Sequence, residues 1–334
     1  MGRQKRSENT YQKINTIFYR DENNIIMPYD DFVLPELNWL RNCKWDASVK
    51  VDGTNMRIEV YPYLQSLTGG LHGVVTLSCG ISIKGKTDNA NIPPILDDFM
   101  WKTYISSDGK KGQGCCDLVK KIFKAFRLPE TYMSTRDNET GLNIQENVDW
   151  MLERGYIKKI GEHTLLGEPF GGSNDTIVED YAVDESNTLP KMFTIYGEGY
   201  GKGIQKAGSH YIKDGVSFIG FDVKVTEKNG KSIYLNRPQR DAIFDEIGIP
   251  KVVEMDPMTI DEAIEYVKKG FDDPIAEEKG FKAEGLVLKT PDGLCRKNGE
   301  RLVCKIKYQD FVKYFNKYGT YDKVEQKRNP NLNL

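Results

Sequence analysis

Lys50 opens the hexapeptide Lys50-Val51-Asp52-Gly53-Thr54-Asn55. A lysine amine is a strong nucleophile only when it has lost its proton, which takes burial or a nearby cation. The Gly53-Thr54 turn supplies backbone N–H groups that suit a phosphate. It leads into the alternating run Met56-Arg57-Ile58-Glu59-Val60. Lysine, carboxylate, glycine and amide in one short turn are the layout of an enzyme that bonds its lysine to a nucleotide phosphorus. Alone, a Lys-x-Asp-Gly is equally a polar β-turn with a surface lysine.

Further segments carry compatible chemistry. Lys84-Gly85-Lys86-Thr87-Asp88-Asn89 closes a β-run, and Tyr196-Gly197-Glu198-Gly199-Tyr200-Gly201-Lys202-Gly203-Ile204-Gln205 follows a strand. Phe218-Ile219-Gly220-Phe221-Asp222-Val223 sets an aromatic ring beside a carboxylate. Ala283-Glu284-Gly285-Leu286-Val287-Leu288-Lys289 precedes Leu302-Val303-Cys304-Lys305-Ile306-Lys307. Strand residues i and i+2 point the same way, so Lys305 and Lys307 set two ammonium groups side by side. Glu198 and Glu284 offer the hard oxygens that magnesium takes. Phe221 offers a face for a base. Singly, each has an ordinary reading: an exposed strand face, a surface glutamate, a core phenylalanine.

Together with Lys50, and in this order, the segments resemble motifs I, Ia, III, IIIa, IV and V of the covalent nucleotidyltransferase superfamily of polynucleotide ligases and RNA capping enzymes. Lys-x-Asp-Gly-Thr-Asn, with Gly-Glu-Gly-x-Gly-x-Gly-Ile-Gln later, looks like the ATP-dependent RNA ligases of the phage and editing-type second family. The resemblance runs from about residue 45 to about residue 310, with a gap in the middle. It implies that Lys50 attacks the α-phosphorus of ATP to give lysyl-AMP and pyrophosphate. AMP then passes to a 5′-phosphate end, and a 3′-OH displaces it. Lys305 and Lys307 join Lys50 as catalytic residues, neutralising the triphosphate and favouring the neutral amine. Glu198 holds the ribose hydroxyls, and Glu284 binds metal directly or through water. Both are metal-ligand candidates for Mg2+, with Mn2+ as its substitute. Phe221 stacks on adenine, Asn55 and Lys86 reach ribose or phosphate, and Arg57, alternating with Asn55, faces the same cleft. Lys289 is a candidate for the α-phosphate or a nucleic-acid backbone, while Asp52 and Asp222 orient other groups. Two departures stand out. Val49 occupies the place where many relatives carry an acidic residue. Lys86 replaces an arginine and loses its bidentate geometry.

Positioning these residues takes strands at 56–61, 74–83, 192–196, 216–225, 232–235, 284–288 and 302–306, with an earlier short one near Ile14 to Phe18. Helical spacing recurs at Leu118, Ile122, Phe123 and Phe126, and again at Ile144, Val148, Met151 and Leu152. Arg237 to Ile247 is a helix ended by Gly248, and Thr259 with Glu262 forms a capping box for the next one. The order is not a regular βαβ alternation, so the expected class is α+β. The resemblance makes this a nucleotidyltransferase (ATP-grasp-like ligase) fold of antiparallel sheets flanked by helices, with a helical insertion. Residues 1–334 read as a single adenylyltransferase domain with a helical and loop insertion at 95–190, of which 172–190 reads as an exposed loop. Residues 308–334 are a short tail with no separate OB domain.

The net charge of −2 excludes bulk attraction to a polyanion, so nucleic-acid contact needs local patches. Lys110-Lys111, Lys120-Lys121 and Lys124 are one such candidate, or else a solvated helix face. Cys43, Cys79, Cys115, Cys116, Cys295 and Cys304 show no Cys-x-x-Cys spacing and the histidines are scattered, which argues against structural zinc and for free thiols. No secretory h-region or membrane-length apolar run occurs, so a cytoplasmic protein with no membrane partner is expected, including a viral protein in a host cytoplasm. The partners implied are RNA ends, a nicked duplex or an RNA/DNA hybrid, with an accessory nucleic-acid-binding protein in place of the missing domain. A DNA ligase, a GTP-using capping enzyme and a non-catalytic end-binding module are the other readings.

Overall fold

The computed structural model describes residues 9–28, 31–66, 74–105, 117–126, 128, 133–136, 142–165 and 176–319. Its strands are β1 (Asn15–Thr16), β2 (Trp45–Val49), β3 (Thr54–Ser66), β4 (Val75–Gly85), β5 (Met133–Ser134), β6 (Ile157–Leu165), β7 (Thr176–Val183), β8 (Met192–Gly201), β9 (Val216–Thr226), β10 (Ser232–Tyr234), β11 (Glu254–Met258), β12 (Gly285–Lys289) and β13 (Val303–Lys307). The helices are α1 (Pro35–Trp39), α2 (Pro94–Met100), α3 (Asp117–Ala125), α4 (Gln145–Glu153), α5 (Gly208–Tyr211), α6 (Arg237–Ile247), α7 (Ile260–Lys269) and α8 (Tyr308–Tyr318). A π-helical turn, Trp101–Ile105, continues α2.

A five-stranded sheet runs β1-β13-β12-β2-β11 and a six-stranded sheet runs β10-β9-β8-β3-β4-β5, while β6 and β7 pair separately. Every ladder is antiparallel except β1 with β13. The fold is therefore α+β with antiparallel sheets.

Period-two alternation decides which face of the five-stranded sheet is left for chemistry. Ala47, Leu286, Leu288, Cys304 and Ile306 are fully buried, in one cluster with Ile260, Ala263 and Val267 of α7 and Phe311 of α8. Each large apolar side chain buried this way contributes about 1.5–3 kcal/mol. The intervening residues Asp46, Ser48, Val287, Lys289, Lys305 and Lys307 must face the opposite way, toward the second sheet. Helix α7 forms where expected: Thr259 Oγ1 accepts from Glu262 N at 3.2 Å, and Glu262 Oε2 accepts from Thr259 N at 2.6 Å. Its apolar residues 260, 263, 264 and 267 then fall on one stripe. Helix α6 ends at Gly248 in the left-handed conformation, as its sequence implies.

The region 95–190 differs from a helical block with an exposed loop. After α2, α3 and α4 it forms the β6–β7 hairpin, so residues 176–183 are a strand. The alternation is disguised by a register shift between Lys159 and Gly161, and by charged residues on the outer face. Nor is this region an appendage. Leu96, Met100, Ile122, Val148 and Met151 are fully buried in one cluster with Met56, Ile58 and Phe193 of the six-stranded sheet. Strand β11 was not expected, because Pro257 interrupts it. It survives as an edge strand, paired on one side with β2. Lys110, Lys111, Cys115 and Cys116 lie outside the described residues.

Candidate active site between the two sheets

Lys50 is the residue at which β2 stops. Its N–H donates to the carbonyl of Gly285 at 2.9 Å, which fixes the nucleophile turn against β12. Gly285 has φ +145°, and a Cβ there would stand 1.9 Å from the carbonyl oxygen of Ile306. Only glycine lets β12 and β13 approach this closely, and that approach brings Glu284 and Lys307 to Lys50. Glu284 Oε2 accepts from Lys50 Nζ at 2.5 Å, and Oε1 lies 2.5 Å from Lys307 Nζ. One carboxylate is thus shared by two ammonium groups some 250 residues apart in sequence.

Gly53 performs the matching task toward the other sheet. A Cβ at this position would lie 2.3 Å from the carbonyl oxygen of Gly199 and 2.9 Å from Glu198 Cγ. The turn therefore rests on β8, and the β3–β8 register sets Asn55 opposite Glu198. Asp52 N donates to Tyr211 Oη at 3.1 Å, and that hydroxyl donates to Asp273 Oδ2 at 3.1 Å. Asp52 is accordingly held through its backbone by α5.

Between the sheets lies a cavity of about 230 Å³. Lys50, Asn55, Lys86, Glu198, Phe221 and Lys305 all line it, together with Lys289. Burial pushes the Glu198 carboxyl up to about 7, with Glu284 and Asp52 adding to the rise against the opposing pull of Lys50. Burial also lowers Lys305, and repulsion from Lys307 and Lys50 lowers it further. Lys307 is shifted upward: burial opposes its charge, but its hydrogen bond to Glu284 prevails. Burial, then Glu284, raises Asp52. Lys50, Lys86, Lys305 and Glu198 act on one another electrostatically across the cavity wall. Phe221, Val252 and Val287 supply its apolar wall.

Phe221 is placed by its backbone. Its carbonyl accepts from Lys289 Nζ at 2.9 Å and from Arg240 Nη1 at 3.2 Å. Lys289 Nζ also lies 3.0 Å from Asp222 Oδ2, and Arg301 Nη2 lies 2.7 Å from the same oxygen. Burial opposes a charge on Asp222, yet Lys289 and Arg301 hold its carboxyl well below the usual range. Lys289 is thus already committed to β9, which does not suit the phosphate contact expected of it. Asp222 thus gathers Lys289, Arg301 and Tyr11 around one carboxylate.

Arg57 departs from its expected place. It shares a strand face with Asn55, but it is 1% exposed and absent from the cavity wall. Its guanidinium bonds Glu59 at 2.8 Å, the Gly85 carbonyl at 2.5 Å, and Asp88. It therefore braces the turn that carries Lys86 and does not itself face the ligand space. The buried Glu59 that it pairs with is held at about 2: burial opposes its charge, but hydrogen bonds from Arg57, Tyr61 and Lys84 prevail. Lys124 of the basic helix pairs with Glu246 of α6 at 3.0 Å, so part of that lysine face serves packing.

Sequence reasoning missed the N-terminal wall. Residues 11–14 line the cavity, Tyr11 packs edge-on against Phe221 at 5.0 Å, and Tyr11 Oη donates to Asp222. Gln12 exchanges side-chain hydrogen bonds with both backbone groups of Arg301, at 2.9 and 3.1 Å. The only signal in the sequence was an aromatic residue in an otherwise polar arm.

The residues present fit a magnesium ion of the phosphate-bridging kind. Glu198 has no hydrogen-bond or ion-pair partner among the described residues, and its carboxyl stands beside Glu284 and Asp52. No group of three or more His, Cys, Asp or Glu side chains is placed to hold an ion among the described residues. Two carboxylates completed by water and phosphate oxygens are what magnesium commonly takes.

A family model described as RNA ligase matches residues 44–307. Among solved structures, the Naegleria gruberi RNA ligase with PPi is similar at 12% identity and a TM-score of 0.41, over 93% of this chain and 59% of that one. A mutant of the same enzyme with ATP and Mn gives 14% identity and a TM-score of 0.42, over 90% and 57%. The chain thus spans less than two thirds of the length of the solved chains it matches. No curated protein matches it.

Proposed function

The chain belongs to the RNA ligase family, and we propose that it is an ATP-dependent ligase that joins a 5′-phosphate to a 3′-OH by way of lysyl-AMP on Lys50. The observation that carries this reading is the single Glu284 carboxylate bridging Lys50 and Lys307 at 2.5 Å on each side. It unites the nucleophile with the paired cations from the far end of the sequence. A nucleotidyltransferase fold is the natural name for two antiparallel sheets meeting at such a site.

ATP enters with its phosphates toward Lys50, Lys86 and Lys305 and its base toward Phe221, because these lysines supply the cations of the cavity wall and Phe221 its aromatic face. Lys50 must first give up a proton, and Glu284 Oε2 lies 2.5 Å away to accept it. The Lys50 Nζ–Pα bond then forms as the bond from Pα to the pyrophosphate oxygen breaks. Lys305 and Lys86 stabilise charge developing on the phosphate oxygens. Magnesium, held by Glu198 and, once the Lys50 proton has passed on to water, by Glu284, would supply further neutralisation of those oxygens. In the second transfer a 5′-phosphate oxygen takes AMP from Lys50, and the amine is reprotonated. In the third, the 3′-OH attacks that 5′-phosphorus and AMP leaves.

RNA ends or a nicked duplex are the substrates this reading favours, with a further protein or segment gripping the duplex. Among the described residues no helix is long and apolar enough to cross a membrane. The test is incubation with α-labelled ATP and magnesium, with GTP as competitor. Label on the wild-type chain and none on Lys50→Ala is expected. A labelled Lys50→Ala protein, or labelling that GTP suppresses as well as ATP does, would sink the assignment.

A further inference from the structure

A second and larger cavity, about 750 Å³, adjoins the first. The two have Gln12, Ser48 and Lys289 in common as lining residues. Two of them stand beside the wall assigned above to the base: Lys289 Nζ donates to the Phe221 carbonyl at 2.9 Å, and Ser48 is paired with Val287. Ser48 is the one small side chain of the three; Gln12 is held to Arg301, and Lys289 to the Phe221 carbonyl and Asp222. Asp46, which lines only the larger cavity, continues the row Lys50, Ser48, Asp46 along one face of β2. At about 3.3 Å per residue that row extends for about 13 Å, farther than a purine base alone needs.

The walls of the larger cavity are polar and of mixed sign. Arg237 reaches Asp46 and Glu254 only at 3.8 and 3.9 Å, outside hydrogen-bond distance, and is a third exposed. Arg301 Cζ lies over the Tyr234 ring, 3.5 Å from its centroid. Such a space tolerates an uncharged substituent and does not select for an anion.

Resting on the ATP reading above, the geometry points to a nucleotide site left open behind the base, which accepts adenine nucleotides carrying a bulky substituent on N6. With the phosphates at Lys50 and the ring against Phe221, the atom of adenine farthest from the ribose is N6. That atom faces the junction at Ser48, and the larger cavity begins beyond it. A closed base pocket would exclude such a substituent by overlap. Here the substituent passes between Ser48 and Lys289 into open space bounded by Asp46 and Tyr234.

Isothermal titration of the full chain with ATP and with N6-benzyl-ATP tests this directly, since binding does not require turnover. The two dissociation constants are expected to agree within about tenfold. An analogue bound about a hundredfold or more weaker than ATP overturns the inference and leaves the ATP reading standing. Failure of ATP itself to bind removes both. Asp46→Phe then checks the route: it should weaken N6-benzyl-ATP by about tenfold or more while changing ATP by less than about threefold. A variant that binds ATP normally and the analogue just as well places the substituent elsewhere and overturns the path described.

Discussion

Glu198→Gln should make the protein more stable at alkaline pH while impairing it as an enzyme. Burial lifts this carboxyl from an ordinary 4.5 to about 7, with Glu284 and Asp52 adding to the rise. In that interval the unfolded chain has lost the proton and the native chain still holds it. Stability therefore falls as pH rises through the window, by about 1.4 kcal/mol per unit. The whole interval amounts to about 3 kcal/mol at most, and water in the cavity reduces it toward about 1 kcal/mol. Glutamine does not titrate, so the variant lacks this decline. The assay is urea unfolding of both proteins at a series of pH values from roughly 4 to roughly 8. Any fixed effect of the amide cancels, because only the pH-dependent part of the difference is read. The difference should open in favour of the variant by about 1–3 kcal/mol across the series. Adenylylation should meanwhile fall about tenfold or more, the loss of one charge-assisted contact. Two stability profiles that run parallel would refute the claim that Glu198 is a strained carboxyl.

Glu284→Gln removes the charge that Lys50 and Lys307 share; labelling by ATP should drop at least about tenfold and stability by about 1–3 kcal/mol, read by gel autoradiography and urea midpoints. Gly285→Ala should lose about 3 kcal/mol or more, since its Cβ meets the Ile306 carbonyl at 1.9 Å, whereas Gly293→Ala, with nothing within 4 Å, should lose only about 1 kcal/mol. Arg57→Lys keeps the charge but not the fork on Glu59 and Gly85, so KM for ATP should rise with little change in rate at saturation. Equal effects on KM and kcat would instead place Arg57 at the reacting atoms.

The cavity's main lining was legible because chemistry at such a site depends on short local patterns. Lys50, Asn55, Lys86, Glu198, Phe221 and Lys305 each stand in or beside a strand whose alternation fixes where the side chain points. Arg57 misled because alternation gives a face and not a depth: the same face that opens on the cavity at Asn55 is sealed two residues later by Glu59 and Asp88. Tyr11 and Gln12 were silent for the opposite reason. They work through partners, Asp222 and Arg301, that lie more than two hundred residues away. The β6–β7 hairpin escaped because a register shift and a charged outer face break its period. The helices of the same region read correctly in Ile122, Val148 and Met151. Their spacing does not say what they cover, and they prove continuous with the core beneath β3 and β8.

The most direct measurement is peptide mapping of the chain after incubation with ATP and magnesium. An acid-labile adenylate on Lys50, released when a 5′-phosphorylated RNA is added, is the outcome this reading requires. Adenylate on any other lysine, or a stoichiometric wild-type complex that holds ATP intact and never transfers it, would contradict it.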